Sequence, residues 1–492
     1  MKFTQEIQDY FNYLKKYMYI ILGLYTIIEI GLFIKIGTSN VLMFLCSIFV
    51  TLFVICSLIL MFKEFVTASK IYAISMPIIP MVFYIMHRLH MDGIGQVLYI
   101  AYFAIYLITM IREYKNGVFD FSRLTTKYRK ISILYVILLI LAVISSVISI
   151  HVLEAFKLVL LSIITMMTYS IGMLCYKKNN KAFFKDILLY LCIGVTLSSI
   201  PDIIVTLYNL IFRDNINQHL YGVLGSNFML GYTIIIIPFI LLYAMNKGLS
   251  GKHNKMYQLL LLIQIINFST QKSRGFLVTL AICFIVSIIL DMKNWKKYVL
   301  VSIVVFSCMT YNVMHRWDME NVVADIKITG VESLTANNVK IWDRLIDQTK
   351  NRRPIWALAF GMIKDHPYLG VGPGHFKYYY LQYGGNPEKM YIDAHNIVLD
   401  LITEFGVIFS FTFMVAWIGG LLKSLLDIVK NRKGDFREFK WPGIIGITCL
   451  LIYGNVTGQS FMASANPLSV APAFIFTVVM ILMIYPEGKF DN

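Results

Sequence analysis

The side chains with the richest chemistry in this chain lie between Arg352 and Phe409. His395 and Asn396 stand side by side where a polar segment gives way to an apolar run, and Asp393 precedes them by two residues. Histidine titrates near neutral pH and suits general-base work on a hydroxyl. A carboxylate at Asp393 could orient the imidazole. Asp400 and Glu404 follow at helical spacing and share one face. The same His-Asn pair would also serve simply to cap the helix that follows. A second group is cationic. Arg352 and Arg353 precede Pro354, a residue suited to a first helical turn, so the spacing predicts a helix starting near Pro354. At its positive end the two guanidiniums could meet phosphate or a sugar carboxylate. A plain solvated pair is the alternative.

Further cations fall in short loops earlier in the chain. Lys272 and Arg274 occupy the turn QKSRGF between two apolar runs. There Arg274 could grip phosphate oxygens bidentately, and snorkelling anchors are the structural alternative. Arg213 lies in another such loop and joins Lys272, Arg352 and Asn396 as a substrate-binding candidate. Asn227, in HLYGVLGSNFMLGY, suits a helix cap or, as a further substrate-binding candidate, a re-entrant contact with a donor lipid. GVGPG (370–374) lacks the trailing GK[ST] of a phosphate loop and reads as a structural turn. Tyr378, Tyr379, Tyr380 and Tyr383 read as interface aromatics.

These groups are embedded in an apolar chain. Of 492 residues 58% are hydrophobic and 15% charged, where a soluble domain has about a quarter charged. The expected fold is therefore an all-α polytopic membrane protein, with about 14 spans (12–14) by the usual length criterion of about 20 apolar residues. Residues 1–314 would hold spans 1–11, residues 315–396 one large extracytoplasmic loop, and residues 397–492 the C-terminal spans. Charge distribution sets the orientation. With both termini cytoplasmic, the short external loops contain only Lys35, Arg88, Lys157, Arg213, Lys272 and Arg274. Most of the 44 Lys and Arg then fall on the cytoplasmic side. The net charge of +16 therefore points to anionic lipid headgroups and excludes a nucleic-acid partner.

Other polar positions carry less. Glu29 and Asp202 lie within apolar runs, where ionisable groups are functional candidates or structural contacts. His87 and His90 have metal-compatible spacing but no further ligands, and read as solvated. The seven cysteines lie in apolar runs without CxxC spacing and read as buried thiols. No metal and no cofactor are expected.

The second half resembles the O-antigen ligase and polymerase superfamily of bacterial membrane glycosyltransferases. The resemblance rests on Arg353, Trp356, the run from Pro367 through Gly370 and Gly372 to Phe376, the His395-Asn396 pair, and the turn Ser273-Arg274-Gly275. Gly406 follows the His-Asn pair after nine residues, as in the ligases, although Phe409 stands where they carry Gly, Thr or Tyr. His219 stands where many members have arginine.

The resemblance implies a donor glycan on undecaprenyl pyrophosphate, with the membrane as second partner. Other polysaccharide assembly proteins, a flippase or a chain-length regulator, would be further partners. Arg274 and Arg353 would bind the pyrophosphate, and His395 would activate the acceptor or touch the pyrophosphate. The implied activity is polymerisation of lipid-linked repeat units outside the cytoplasmic membrane into capsular polysaccharide, exopolysaccharide or O-antigen-like polymer. Ligase-type transfer to another acceptor and flippase-type transport are the alternatives.

Overall fold

The computed structural model describes residues 2–36, 41–88, 92–178, 181–212, 226–269, 274–310, 341–387, 391–430, 437–457 and 470–484. It is 87% helical. Among the described residues there is no strand, only one isolated bridge between Phe119 and Tyr176. The chain divides into two compact units.

The first unit comprises Met1–Ile133, Ile164–Ser198 and Phe490–Asn492. Its core is aromatic. Tyr72, Tyr106 and Tyr169 are fully buried, with ring centroids 5.0–5.4 Å apart. Beside this core the buried Lys70 ammonium is held between Glu6 at 2.7 Å and Asp186 at 2.9 Å. A cation taken from water is tolerated only when paired in this way.

The second unit comprises Leu134–Ile163 and Ser199–Lys489. Four of its helices pack together: Ser226–Met245, Arg274–Leu290, Arg437–Thr457 and Val470–Ile484. Their contact faces include Ile234–Ile237, Phe276, Tyr453 and Phe474, all fully buried. Two further helices carry the candidate site. One runs Ile341–Asp365 (here α1), the other Ile397–Lys430 (α2). A short cluster of Ile355, Ala359, Met362, Val371, Phe376, Tyr380 and Ala394 buries the connection between them. At about 25 cal/mol per Å² of apolar surface, such burial is the main force that holds the connection down.

Five described helices are long and apolar enough to cross a membrane, or seven if two bent pairs each count as one span. Four shorter apolar helices, Ile48–Met61, Phe65–Pro80, Thr233–Met245 and Ala473–Met483, add to these. The sequence expectation of about 14 spans is thus not reached among the described residues. Three of the four shorter helices are stretches of longer ones, Val41–Met61, Phe65–Arg88 and Ser226–Met245, whose 21, 24 and 20 residues are long enough to cross a bilayer. The expected pair 275–291 and 298–314 comes out as two segments bent by 104°. Large apolar side chains such as Leu153, Phe411, Val429 and Leu300 lie open on the helix surfaces. Exposure on this scale suits lipid rather than water, and the chain is a multi-pass membrane protein.

The helix expected from Pro354 begins earlier. α1 starts at Ile341, with Pro354 inside it. Proline removes one backbone donor and crowds the preceding turn, but the apolar face after it (Ile355, Ala359, Met362) is buried against the loop and offsets that cost. Of the cysteines, Cys175, Cys192, Cys283 and Cys449 are buried as expected, whereas Cys308 is exposed on its helix.

Candidate active site

α2 is broken where the sequence places Gly406, whose φ of 77° and ψ of 172° interrupt the helix. The break frees backbone groups that an intact helix would use, and the GVGPG segment takes them up. Val371 N–H donates to the Thr403 carbonyl at 2.8 Å and Gly372 N–H to the Glu404 carbonyl at 2.9 Å. Val407 N–H donates to the Pro367 carbonyl at 2.8 Å. Ser145 adds its hydroxyl to the carbonyls of Leu369, at 2.8 Å, and Glu404, at 3.0 Å. GVGPG is therefore a turn docked on a broken helix, in keeping with its reading as a structural turn.

This docking brings residues 391–396 onto the start of α2. Asn396 caps the helix, its Oδ1 accepting from Val398 N and Leu399 N at 3.0 Å each. A cap of this kind contributes about 1 kcal/mol. His395 immediately precedes it with φ 54°, a left-handed conformation. Its Nδ1 is hydrogen-bonded to Asp393 Oδ1, and its backbone N–H donates to the same oxygen at 3.0 Å. The Asp393 side chain is 5% exposed and that of His395 30%. The pairing with Asp393 fixes the proton of a neutral imidazole on Nδ1 and leaves the Nε2 lone pair to accept one. The expected orientation of His395 by Asp393 is thus present in the geometry.

Arg352 lies on the half-buried side of α1, within electrostatic reach of Asp393, Tyr391 and Tyr453. Burial lowers its pKa, and the Asp393 carboxylate opposes that shift. Arg353, one residue on, is exposed. Neighbours on a helix point about 100° apart, so one guanidinium turns inward and the other out. One turn after Arg352, Trp356 donates its Nε1–H to the Ala394 carbonyl at 3.1 Å. Arg352, Trp356, Asp393, His395 and Asn396 thus form one constellation.

The remaining sequence candidates are not gathered with them. Arg274 opens the helix Arg274–Leu290, but its side chain lies outside the described residues. Lys272 and Arg213 lie outside them altogether, as do His90 and His219. Asn227 falls inside the first turn of Ser226–Met245 rather than before it, and its side chain is not described. Among the described residues no group of three or more His, Cys, Asp or Glu could hold a metal ion.

Two features escaped sequence reasoning. Asp400 and Glu404, whose shared face was legible, are 5% and 3% exposed. Asp400 Oδ1 accepts the Ala394 N–H at 2.6 Å, and the Glu404 carboxyl receives the Gly374 N–H. The second feature is a polar seam around His375, which is fully buried. Its Nδ1 lies 2.8 Å from the Pro373 carbonyl, and its Nε2 accepts from His151 N at 3.1 Å. Glu154, three residues beyond His151, accepts from Lys377 Nζ at 2.9 Å and from the Tyr378 hydroxyl at 2.6 Å. No local signal marks this seam, because His151 and Glu154 meet His375 and Lys377 across 224 and 223 residues of sequence. Two more of the interface tyrosines are engaged within the unit: Tyr380 is buried, and Tyr383 donates to Asp365 at 2.7 Å.

A search of curated proteins finds no match to the chain. Residues 259–414, which contain the constellation of Arg352, Trp356, Asp393, His395 and Asn396, match the family model described as O-antigen ligase. Over those residues the resemblance to the O-antigen ligase and polymerase superfamily of bacterial membrane glycosyltransferases is shown.

Proposed function

We propose that the protein is a membrane glycosyltransferase that polymerises undecaprenyl-pyrophosphate-linked repeat units on the outer face of the cytoplasmic membrane. The observation that carries this reading is the Asp393–His395 pair at the start of α2, with Arg352 beside it. Asp393 holds the imidazole with its proton on Nδ1. Nε2 takes the proton of the acceptor hydroxyl as the oxygen bonds to the anomeric carbon of the donor. The bond from that carbon to the phosphate oxygen breaks, and the pyrophosphate leaves with the electron pair. Arg352, Arg353 and Arg274 neutralise the charge that develops on it. The proton resides on His395 until it is released to water. Neither a metal nor a cofactor is needed in this scheme, since a diphosphate is already a good leaving group.

The test replaces His395 with alanine in the producing cell and follows lipid-linked glycan by its accessibility on each membrane face. Polymerisation predicts single repeat units accumulating outside, with no polymer ladder. Full-length polymer that is made but stays on its lipid carrier would assign ligase-type transfer instead. Single units held on the cytoplasmic face would assign transport. Unchanged polymer would overturn the site.

A further inference from the structure

His395 is the only described non-glycine residue with a positive φ. A left-handed residue of this type costs about 1–2 kcal/mol, and such conformations persist only where the surroundings over-determine them. Here the surroundings do so through Ala394, which is fully buried. Its N–H is taken by Asp400 Oδ1 at 2.6 Å, from one turn into α2. Its carbonyl accepts Trp356 Nε1–H at 3.1 Å, from α1. The peptide between Ala394 and His395 is thereby held at its oxygen by Trp356 and at its nitrogen by Asp393. The peptide before it is held by Asp400. Both peptide planes that define the backbone into His395 are clamped by side chains from two different helices.

We propose that Asp400 and Trp356 are positioning residues for His395. Asp400 sets where the Asp393–His395 turn sits on α2. Trp356 sets its distance from Arg352, which lies one turn earlier on the same helix. The inference rests on the reading of His395 as the base. A base displaced by about 1 Å loses on the order of 100-fold in rate, while donor binding by the arginines is untouched.

The experiment uses the full-length protein reconstituted with lipid extract from the producing cell, with polymer formation as the rate readout. Binding of undecaprenyl pyrophosphate is measured separately by thermal shift. Asp400→Asn retains an oxygen acceptor for Ala394 N–H and is expected within about 3-fold of the native rate, whereas Asp400→Leu is expected to lose about 100-fold. Trp356→Phe keeps the ring but not the donor and is expected to lose about 10-fold. All three bind undecaprenyl pyrophosphate as the native protein does. Rates of Asp400→Leu and Trp356→Phe that remain native, or an Asn variant as slow as Leu, would overturn the proposal. So would losses in rate and binding that move together. If Asp400→Leu does not accumulate in membranes, Trp356→Phe decides alone. A His395→Ala variant separates the two levels. Should it retain native turnover, the base reading itself fails. Should it be inactive while the Asp400 and Trp356 variants stay native, only the positioning inference fails.

Discussion

Gly370 packs against the Gly406 backbone with no room for a side chain: a β-carbon on Gly370 would stand 2.6 Å from the Gly406 amide nitrogen and 2.5 Å from the Glu404 carbonyl carbon. On Gly406 it would collide with the Tyr368 carbonyl. The neighbours in both cases are backbone and cannot rotate away. Gly406 also has a backbone conformation essentially confined to glycine, which costs another residue about 1–3 kcal/mol. Gly406→Ala and Gly370→Ala are therefore expected to destabilise the second unit by at least about 2 kcal/mol. A thermal melt in detergent, read against an alanine at the exposed helical residue Gly419, where a β-carbon meets nothing within 4 Å, checks this. Equal melting of all three would contradict the docked-turn geometry.

The Asp393–His395 bond predicts a tautomer effect. Asp393→Asn presents either an amide donor or a weaker acceptor to Nδ1, so the Nε2 lone pair is no longer assured. Turnover is expected to fall by about 100-fold or more, the range in which a positioned base contributes. Undecaprenyl pyrophosphate binding should hold. A native rate in Asp393→Asn would remove the carboxylate from the mechanism.

The two arginines should separate in their behaviour. Arg352, held beside Asp393, presents a planar fork that lysine does not reproduce. Arg352→Lys is expected to weaken undecaprenyl pyrophosphate binding about 10-fold, the scale of one charge-assisted hydrogen bond. Arg353→Lys, on the exposed face, should cost less. Isothermal titration on both variants measures the difference, and a larger loss at Arg353 would reverse the assignment.

The His375 seam predicts a loss of stability in acid. A carbonyl can only accept, so the contact with Pro373 puts the proton on Nδ1, and Nε2 already accepts from His151 N. The ring is therefore satisfied as the neutral form. Burial pushes its pKa below the ordinary 6.5, with His151 and Lys377 acting in the same direction. The Pro373 carbonyl and Glu154 oppose them, and Tyr378 packs against the ring without titrating near neutrality. Because the folded pKa is depressed, the unfolded chain takes up a proton first as pH falls. The contribution is full above about pH 6.5 and declines below it. Melting curves between about pH 5 and pH 8 should show a slope below pH 6.5 that His375→Gln flattens.

In the first unit, Lys70→Met would leave Glu6 and Asp186 facing each other without their cation. Loss of one partner from a buried charge network costs about 3 kcal/mol or more. Melting of the variant should drop accordingly, and the triple variant that also carries Glu6→Gln and Asp186→Asn should recover part of the loss.

Much of this was legible in the sequence for identifiable reasons. Hydropathy and the scarcity of charge establish a polytopic helical chain, because lipid admits few alternatives. His395-Asn396 marked a helix start because asparagine caps by a local mechanism, and the structure has the cap. What remained hidden was non-local. Adjacent arginines cannot reveal which one faces inward until the helix is placed, and the helix began at Ile341 rather than at Pro354. The shared face of Asp400 and Glu404 was visible, but that Asp400 reaches back to Ala394 depends on a left-handed turn no periodicity encodes. The contact of His375 with His151 joins positions far apart in the chain and left no local trace.

The interruption of α2 at Gly406 has a mechanical meaning for the bilayer. Beyond it, residues 407–430 measure roughly 36 Å at 1.5 Å per residue, somewhat more than a hydrocarbon core of about 30 Å. A stretch that overshoots its membrane tilts. The backbone bonds from Val371, Gly372 and Val407 tie the turn of 367–374 to both sides of the break, so that turn and the start of α2 travel with the span. Any change in the tilt of residues 407–430 is therefore passed as one piece to the docked turn and to the start of α2.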